Sequence, residues 1–114
     1  MLRLRKNGRD IYVKKLVKWN GTATIFFNKD EVHELGLVMG EWVFFIDREH
    51  KFTSKFRRHR DGLQFTFPKV IFEILDLDND TFIGLEINEW GRTIRIHKLT
   101  KRIQERVEKK WDGL

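Results

Sequence analysis

The sequence predicts a mainly β fold with short helices, in which two internal repeats share one small barrel or sandwich core and a C-terminal amphipathic helix follows. Three observations carry this. Asn-Gly pairs stand at 7–8 and 20–21 between segments of alternating hydrophobicity, the signature of tight hairpins. A strand–helix–strand plan recurs at an interval of forty residues. Finally, Leu99, Ile103, Val107 and Trp111 form an apolar stripe at helical spacing.

The chain opens as a meander. Leu2 and Leu4 alternate with Arg3 and Arg5, Asn7-Gly8 supplies the positive φ of a two-residue turn, and Ile11 and Val13 resume the alternation. Asn20-Gly21 makes the same turn between strands at 17–19 and 22–27. On this reading Arg3, Arg5, Lys14 and Lys18 stand on a rigid, partly exposed face. Residues 30–35 fit a short helix with Val32 and Leu35 turned inward and Gly36 placed to end it. Gly40-Glu41 then turns into a strand at 42–46. In the second half, 65–67 is a strand, Pro68 opens a helix at 70–75 from its first position, and 82–87 is the next strand. A late strand at 92–97 leads to the final helix at about 99–111, with Asp112-Gly113 as its stop. Thr100 has Ile103 at the capping-box position, so no reciprocal cap is expected.

An offset of forty places Phe27 on Phe67, Asn28 on Pro68, Lys29 on Lys69, Leu35 on Leu75, Leu37 on Leu77, Trp42 on Phe82 and Val43 on Ile83. Apolar and helix-boundary roles recur in the same order, as a diverged duplication leaves them. The expected organisation is one domain over 1–114, with repeats at about 20–54 and 60–97.

These residues resemble the AbrB/MazE/SpoVT-like swapped-hairpin family, whose half-unit runs strand, Ile-Pro-Lys, short helix, Leu-Gly-Leu, Gly-Asp turn, strand. The first copy carries Phe27-Asn28-Lys29-Asp30, Leu35-Gly36-Leu37 and Gly40-Glu41; it keeps Leu-Gly-Leu and has Asn28 in place of proline. The second carries Phe67-Pro68-Lys69, Leu75-Asp76-Leu77 and Asp80-Thr81; it keeps Pro-Lys and has neither glycine. The resemblance covers about residues 20–97. It implies a swapped-hairpin, double-psi-like small β-barrel in which residues 22–46 and 62–87 act as two subunits fused in one chain. It also implies DNA binding through basic loops and strands near the start of each half, here residues 14–21 and 55–62.

Charge runs in blocks consistent with that expectation. Residues 1–20 carry net +6, 21–47 net −4, 48–60 net +5, 61–90 net −6 and 91–114 net +5, within an overall +6. Basic blocks that converge on one face attract a polyanion whatever the chain total. Arg57, Arg58 and Arg60 are the leading candidate contacts, supported by Arg48, Lys51 and Lys55, because guanidinium groups bridge phosphates or grip a guanine edge. Lys14, Lys15 and Lys18 are candidates for sequence-independent contacts, and Arg92 and Arg95 extend the surface. The bland alternative is a set of solvated faces with scattered ion pairs. Trp19, Trp42 and Trp90 invite comparison with stacking platforms. Alignment with Phe82 assigns Trp42 to the core, and Phe52 and Phe56 read as the inner face of a strand.

Other chemistries lack their residues. The absence of cysteine excludes thiol nucleophiles, disulfides and thiolate metal sites. Asp76-Leu77-Asp78-Asn79-Asp80 begins like a calcium loop but has Thr81 where glycine belongs and Ile87 where the bidentate Glu belongs. His33 with Glu34, and His50 and His59 with Asp47 and Asp61, match no catalytic or metal spacing. No catalysis, metal or cofactor is expected. No apolar run approaches the roughly 20 residues of a membrane-crossing helix, so the expected address is cytoplasmic, without a membrane partner; the charged composition would suit a thermophile.

The expected function is therefore double-stranded DNA binding by occupancy, as a transcriptional regulator or small chromosomal or viral DNA protein. The alternatives are a protein-binding adaptor or complex subunit that uses the final helix, including a homodimer formed through it, and a structured-RNA-binding protein.

Overall fold

The computed structural model describes residues 1–112. Across these residues nine strands and three α-helices follow in the order β1 (Arg3–Lys6), β2 (Arg9–Lys15), β3 (Val17–Trp19), β4 (Thr22–Phe27), α1 (Lys29–Leu35), β5 (Gly40–Phe45), β6 (Lys51–His59), β7 (Gly62–Phe67), α2 (Lys69–Ile74), β8 (Phe82–Asn88), β9 (Thr93–His97) and α3 (Lys101–Asp112). A single 3-10 turn, Leu77–Asn79, lies between α2 and β8. The fold is mainly β. All nine strands join one curled, half-barrel sheet in the order β1-β2-β8-β9-β5-β6-β7-β4-β3.

Local chemistry sets the turns. Asn7 and Gly8 have φ of 54° and 76°, and Asn20 and Gly21 have 49° and 73°, so both Asn-Gly pairs take the left-handed angles a tight hairpin needs. Asn28 caps α1: its Oδ1 accepts from the Glu31 N–H at 2.8 Å, while Glu31 Oε1 accepts from the Asn28 N–H at 2.9 Å. Pro68 precedes α2 as its N-cap, with an extended ψ of 147° and no side-chain cap bond, one position before the first-turn place expected for it. Gly36, at φ 65°, ends α1 as expected. The final helix starts two residues later than the stripe, with Thr100 Oγ1 accepting from the Ile103 N–H at 3.3 Å. Of the expected Asp112-Gly113 stop, Gly113 lies outside the described residues.

The centre of the sheet has an internal two-fold register. In the β4–β7 ladder, Ile25 pairs with Phe65, Ala23 with Phe67 and Phe27 with Leu63. Adding forty to one member of each pair and subtracting it from the other returns a pair of the same ladder. The flanking hairpins obey the same exchange: Val17↔Thr24 corresponds to Arg57↔Gln64, and Trp19↔Thr22 to His59↔Gly62.

Beyond the helices the offset changes, which corrects the expected Trp42–Phe82 and Val43–Ile83 equivalences. Trp42 pairs with Ser54 in the β5–β6 ladder, and the residue that pairs with Lys14, forty before Ser54, is Ile83. One extra residue is taken up after Leu77, next to the 3-10 turn. Since a one-residue slip reverses the faces of a strand, Trp42 and Phe44 share the main core with Ile83 and Leu85, while Phe82 faces the other side.

That main core is rich in aromatics: Phe27, Phe44, Phe56, Phe65 and Phe67 pack with Trp42 in edge, tilted and stacked contacts about 4.6–6.3 Å apart. A second, smaller cluster forms where α3 docks on the outer face of β2 and β8. Val13, Phe82, Leu99 and Val107 are buried there with Ile103 and Trp111 packed against them, so the apolar stripe is covered within the chain. No helix among the described residues is long and apolar enough to cross a membrane.

Candidate nucleic-acid interface

Strand β6 is the structural centre of the predicted basic surface. Its nine residues bridge two partners, with 51–56 paired to β5 and 57–59 to β7. Alternation turns Phe52 and Phe56 toward the core and leaves Lys51, Thr53, Lys55 and Arg57 exposed on the outer face. At a rise of roughly 3.3 Å per residue, Lys55 and Arg57 stand about 7 Å apart and Lys51 about 13 Å from Lys55. Arg48, in the turn before β6, and Arg60, in the turn after it, flank the strand and are exposed.

Neighbouring strands complete the surface. Phe45, half-buried on β5, stands between Lys51 on one side and Arg95 of β9 on the other. Glu41 is opposite Lys55, and Gln64 is opposite Arg57. The hydroxyls of Thr24 and Thr66 meet at 2.9 Å. A shallow, polar groove of about 360 Å³ runs along this face beside Thr53, Lys55, Arg57, Gln64 and Thr66.

The turn that carries Arg48 is held by Asp47. Its Oδ1 accepts from the Glu49 and His50 backbone N–H groups, each at 2.8 Å, and lies 2.9 Å from His50 Nδ1. The Glu49 N–H, then the His50 ring and the His50 N–H, hold the Asp47 carboxyl below its usual range.

The remaining candidates divide. Arg58, one residue out of phase with Arg57, turns to the opposite side and lines a small pocket with Val38, Met39 and Asp61. Lys18 occupies the position forty residues before Arg58 and donates to the Asp78 carbonyl at 2.6 Å. Lys15 is exposed at the end of β2. Arg92, at φ 49° in the β8–β9 turn, contributes its carbonyl to the Val43 N–H at 3.0 Å and keeps its side chain exposed.

Lys14 is a correction. It does not stand on an exposed face: it is 8 % exposed, its Nζ lies 3.0 and 2.9 Å from the two Glu31 carboxylate oxygens, and it sits 5.0 Å from the Phe27 ring centre. With its charge neutralised beneath α1, this ammonium is out of reach of a phosphate. Sequence reasoning missed the pair because Val13 and Lys14 are both buried, which breaks strand alternation just before the bend at Leu16. Its partner, Glu31 at the third position of α1, is brought to it only by tertiary packing.

Ion pairing separates the basic blocks. Arg3 and Arg5 lie 3.8 Å from Asp10, Arg9 lies 3.1 Å from Glu86, and Lys14 is paired with Glu31. Among the described residues, no carboxylate lies within 4 Å of Arg48, Lys51, Lys55, Arg57, Arg58 or Arg60, or of Arg92 and Arg95. Arg3, Arg5, Arg9 and Lys14 of the N-terminal block thus follow the scattered-pair reading, whereas the β6 block makes no ion pair among the described residues, with Glu41 its cross-strand acid opposite Lys55.

The tryptophans split likewise. Trp42 is fully buried, its indole N–H donating to the Val38 carbonyl at 3.0 Å, whereas Trp19 and Trp90 are 76 % and 92 % exposed at turns. His59, which corresponds to Trp19 under the two-fold register, is tilted against Phe26 at 4.4 Å between ring centres. No group of three or more His, Asp or Glu side chains among the described residues is arranged to hold a metal ion.

Comparison with models of protein families, with curated proteins and with solved structures found no match to this chain.

Proposed function

We propose that this protein binds double-stranded DNA along the outer face of β6 and acts by occupancy. The observation that carries the reading is that Lys51, Lys55 and Arg57 share one exposed face of β6, with Arg48 and Arg60 in the flanking turns, and no carboxylate lies within ion-pairing distance of these five among the described residues. Cations already paired gain little from a phosphate, because binding must first break the internal pair; unpaired ones are free to displace the counterions of a duplex. Arg95 and the Thr53, Gln64 and Thr66 side chains add donors across the neighbouring strands. Phosphate contacts fix register on the duplex, and any base reading falls to Arg57, beside Gln64.

We further propose that the half-barrel is a swapped-hairpin barrel whose two subunits have been fused. The two-fold register of β4 and β7, the matching hairpins and the complementary caps Asn28 and Pro68 support this. In this arrangement β6 opens the second half, where the resemblance expects the DNA-contacting segment. A transcriptional regulator or a small chromosomal or viral DNA protein suits such a surface.

Fluorescence anisotropy with labelled duplex DNA, single-stranded DNA and duplex RNA of equal length tests the reading. Tightest binding to duplex DNA, weakened in Lys51→Ala/Lys55→Ala/Arg57→Ala and retained in Arg58→Ala, is the expected outcome. Equal affinity for all three, or loss only in Arg58→Ala, overturns it.

A further inference from the structure

A second site lies on the other side of the sheet order, separated from β6 by β8, β9 and β5. Where α3 crosses the β1–β2 hairpin, the packing leaves a cavity of about 360 Å³. Its floor is apolar: Leu2, Leu4 and Ile11 come from the hairpin, and Leu99, Ile103 and Val107 from α3 and the residues before it. Its rim is cationic. Arg5 and Lys6 stand on the hairpin side, while Arg106 and Lys110 come from the helix, on the same face as Ile103 and Val107 at spacings of three and four. No carboxylate among the described residues lines it, and Glu105 and Glu108 point to a separate groove on the other flank of α3. Lys98 contributes only its stem, since its ammonium turns to the Leu75 and Asp76 carbonyls.

An apolar floor beneath a ring of one sign is complementary to an amphiphile of the opposite sign. We propose that this cavity binds a free, single-chain fatty-acid anion, with its alkyl chain against Leu4, Ile11, Ile103 and Val107 and its carboxylate between Arg106, Lys110 and Lys6. The volume lies in the range of small-molecule pockets. A flat bilayer surface does not fill a recess between a hairpin and a helix. Arg5 is one residue out of phase with Leu4 and lies 3.8 Å from Asp10, so on the hairpin side Lys6, in phase with Leu2 and Leu4, is the cation offered to the carboxylate.

Titration of the ¹⁵N-labelled protein with laurate below its critical micelle concentration tests this. Saturable shifts confined to the amides of the β1–β2 hairpin, residues 97–100 and α3 are expected, with affinity rising about three- to fourfold per methylene from octanoate to laurate. The exposed double variant Arg106→Glu/Lys110→Glu keeps the fold and is expected to weaken laurate at least tenfold while leaving dodecanol unchanged. Absence of saturable shifts, equal binding of dodecyltrimethylammonium, laurate affinity untouched by the charge reversal, or binding to anionic vesicles without binding of monomeric laurate each overturns the proposal.

Discussion

Replacing Lys14 by Met tests whether the Lys14–Glu31 pair ties β2 to α1. At an effective dielectric constant near 20, two unit charges 2.9 Å apart attract by about 6 kcal/mol before the cost of taking both out of water. That cost removes most of the gain, but deleting one partner leaves the other charge uncompensated, which in buried pairs costs about 3–5 kcal/mol. Here the side chains retain 10 % and 13 % exposure, so Lys14→Met belongs at the low end, about 3 kcal/mol. Glu31→Gln keeps an oxygen for the Asn28 N–H and loses only the charge. The double variant Lys14→Met/Glu31→Gln is therefore expected to be more stable than the two single losses combined by about 2 kcal/mol. Urea unfolding at pH 7, followed by tryptophan fluorescence, measures this. Heating gives a second reading, a fall in Tm of about 12 °C for Lys14→Met in a chain of this size. Lys14→Met within about 0.5 kcal/mol of wild type, or strict additivity in the cycle, would refute the reasoning.

Three further outcomes are expected. Arg60→Asn, at φ 55° in the β6–β7 turn, relieves left-handed strain and raises stability by about 1 kcal/mol, read from the urea midpoint; a loss of stability would contradict the strain. Gly62→Ala brings a Cβ against the Phe27 carbonyl across the β4–β7 ladder, and costs about 3 kcal/mol or more by the same assay. Asp47 has a lowered folded-state pKa, so its turn stabilises the fold above the unfolded carboxyl value of about 3.9 and loses that contribution as pH falls through the lower folded value. An NMR titration of the Asp47 carboxyl should give a midpoint below 3.8, whereas a midpoint at or above it would show that the Glu49 and His50 donors are not engaged.

Much of the fold was legible because turn chemistry is local. Asn7-Gly8, Asn20-Gly21, Asn28 and Gly36 each do in the structure what their residue types dictate, and Pro68 marks the start of α2 from one position outside it. The forty-residue offset was legible as well, up to Leu77. It fails at Phe82 because a single added residue after Leu77 leaves the apolar pattern almost unchanged while reversing the strand, and Phe82 and Ile83 are both buried, one in each cluster. Within the candidate site, alternation alone separates Arg57 from Arg58, a division open to sequence reasoning once β6 is taken as a strand through His59. The fate of Lys14 was not legible, because it depends on α1 coming to rest over β2, and that contact is tertiary. The same holds for the cavity under α3, whose walls come from the two ends of the chain.

The central claim is that the cations of β6 meet duplex phosphates, and the salt dependence of affinity tests it most directly. Engagement of Arg48, Lys51, Lys55, Arg57, Arg60 and Arg95 predicts a slope of log K against log salt of about −5, a loss of roughly a thousandfold between 50 and 200 mM salt. Lys51→Ala/Lys55→Ala/Arg57→Ala removes three of these contacts and should bring the slope to about −2.5. A wild-type slope near zero, or one that the triple substitution leaves unchanged, would contradict the account.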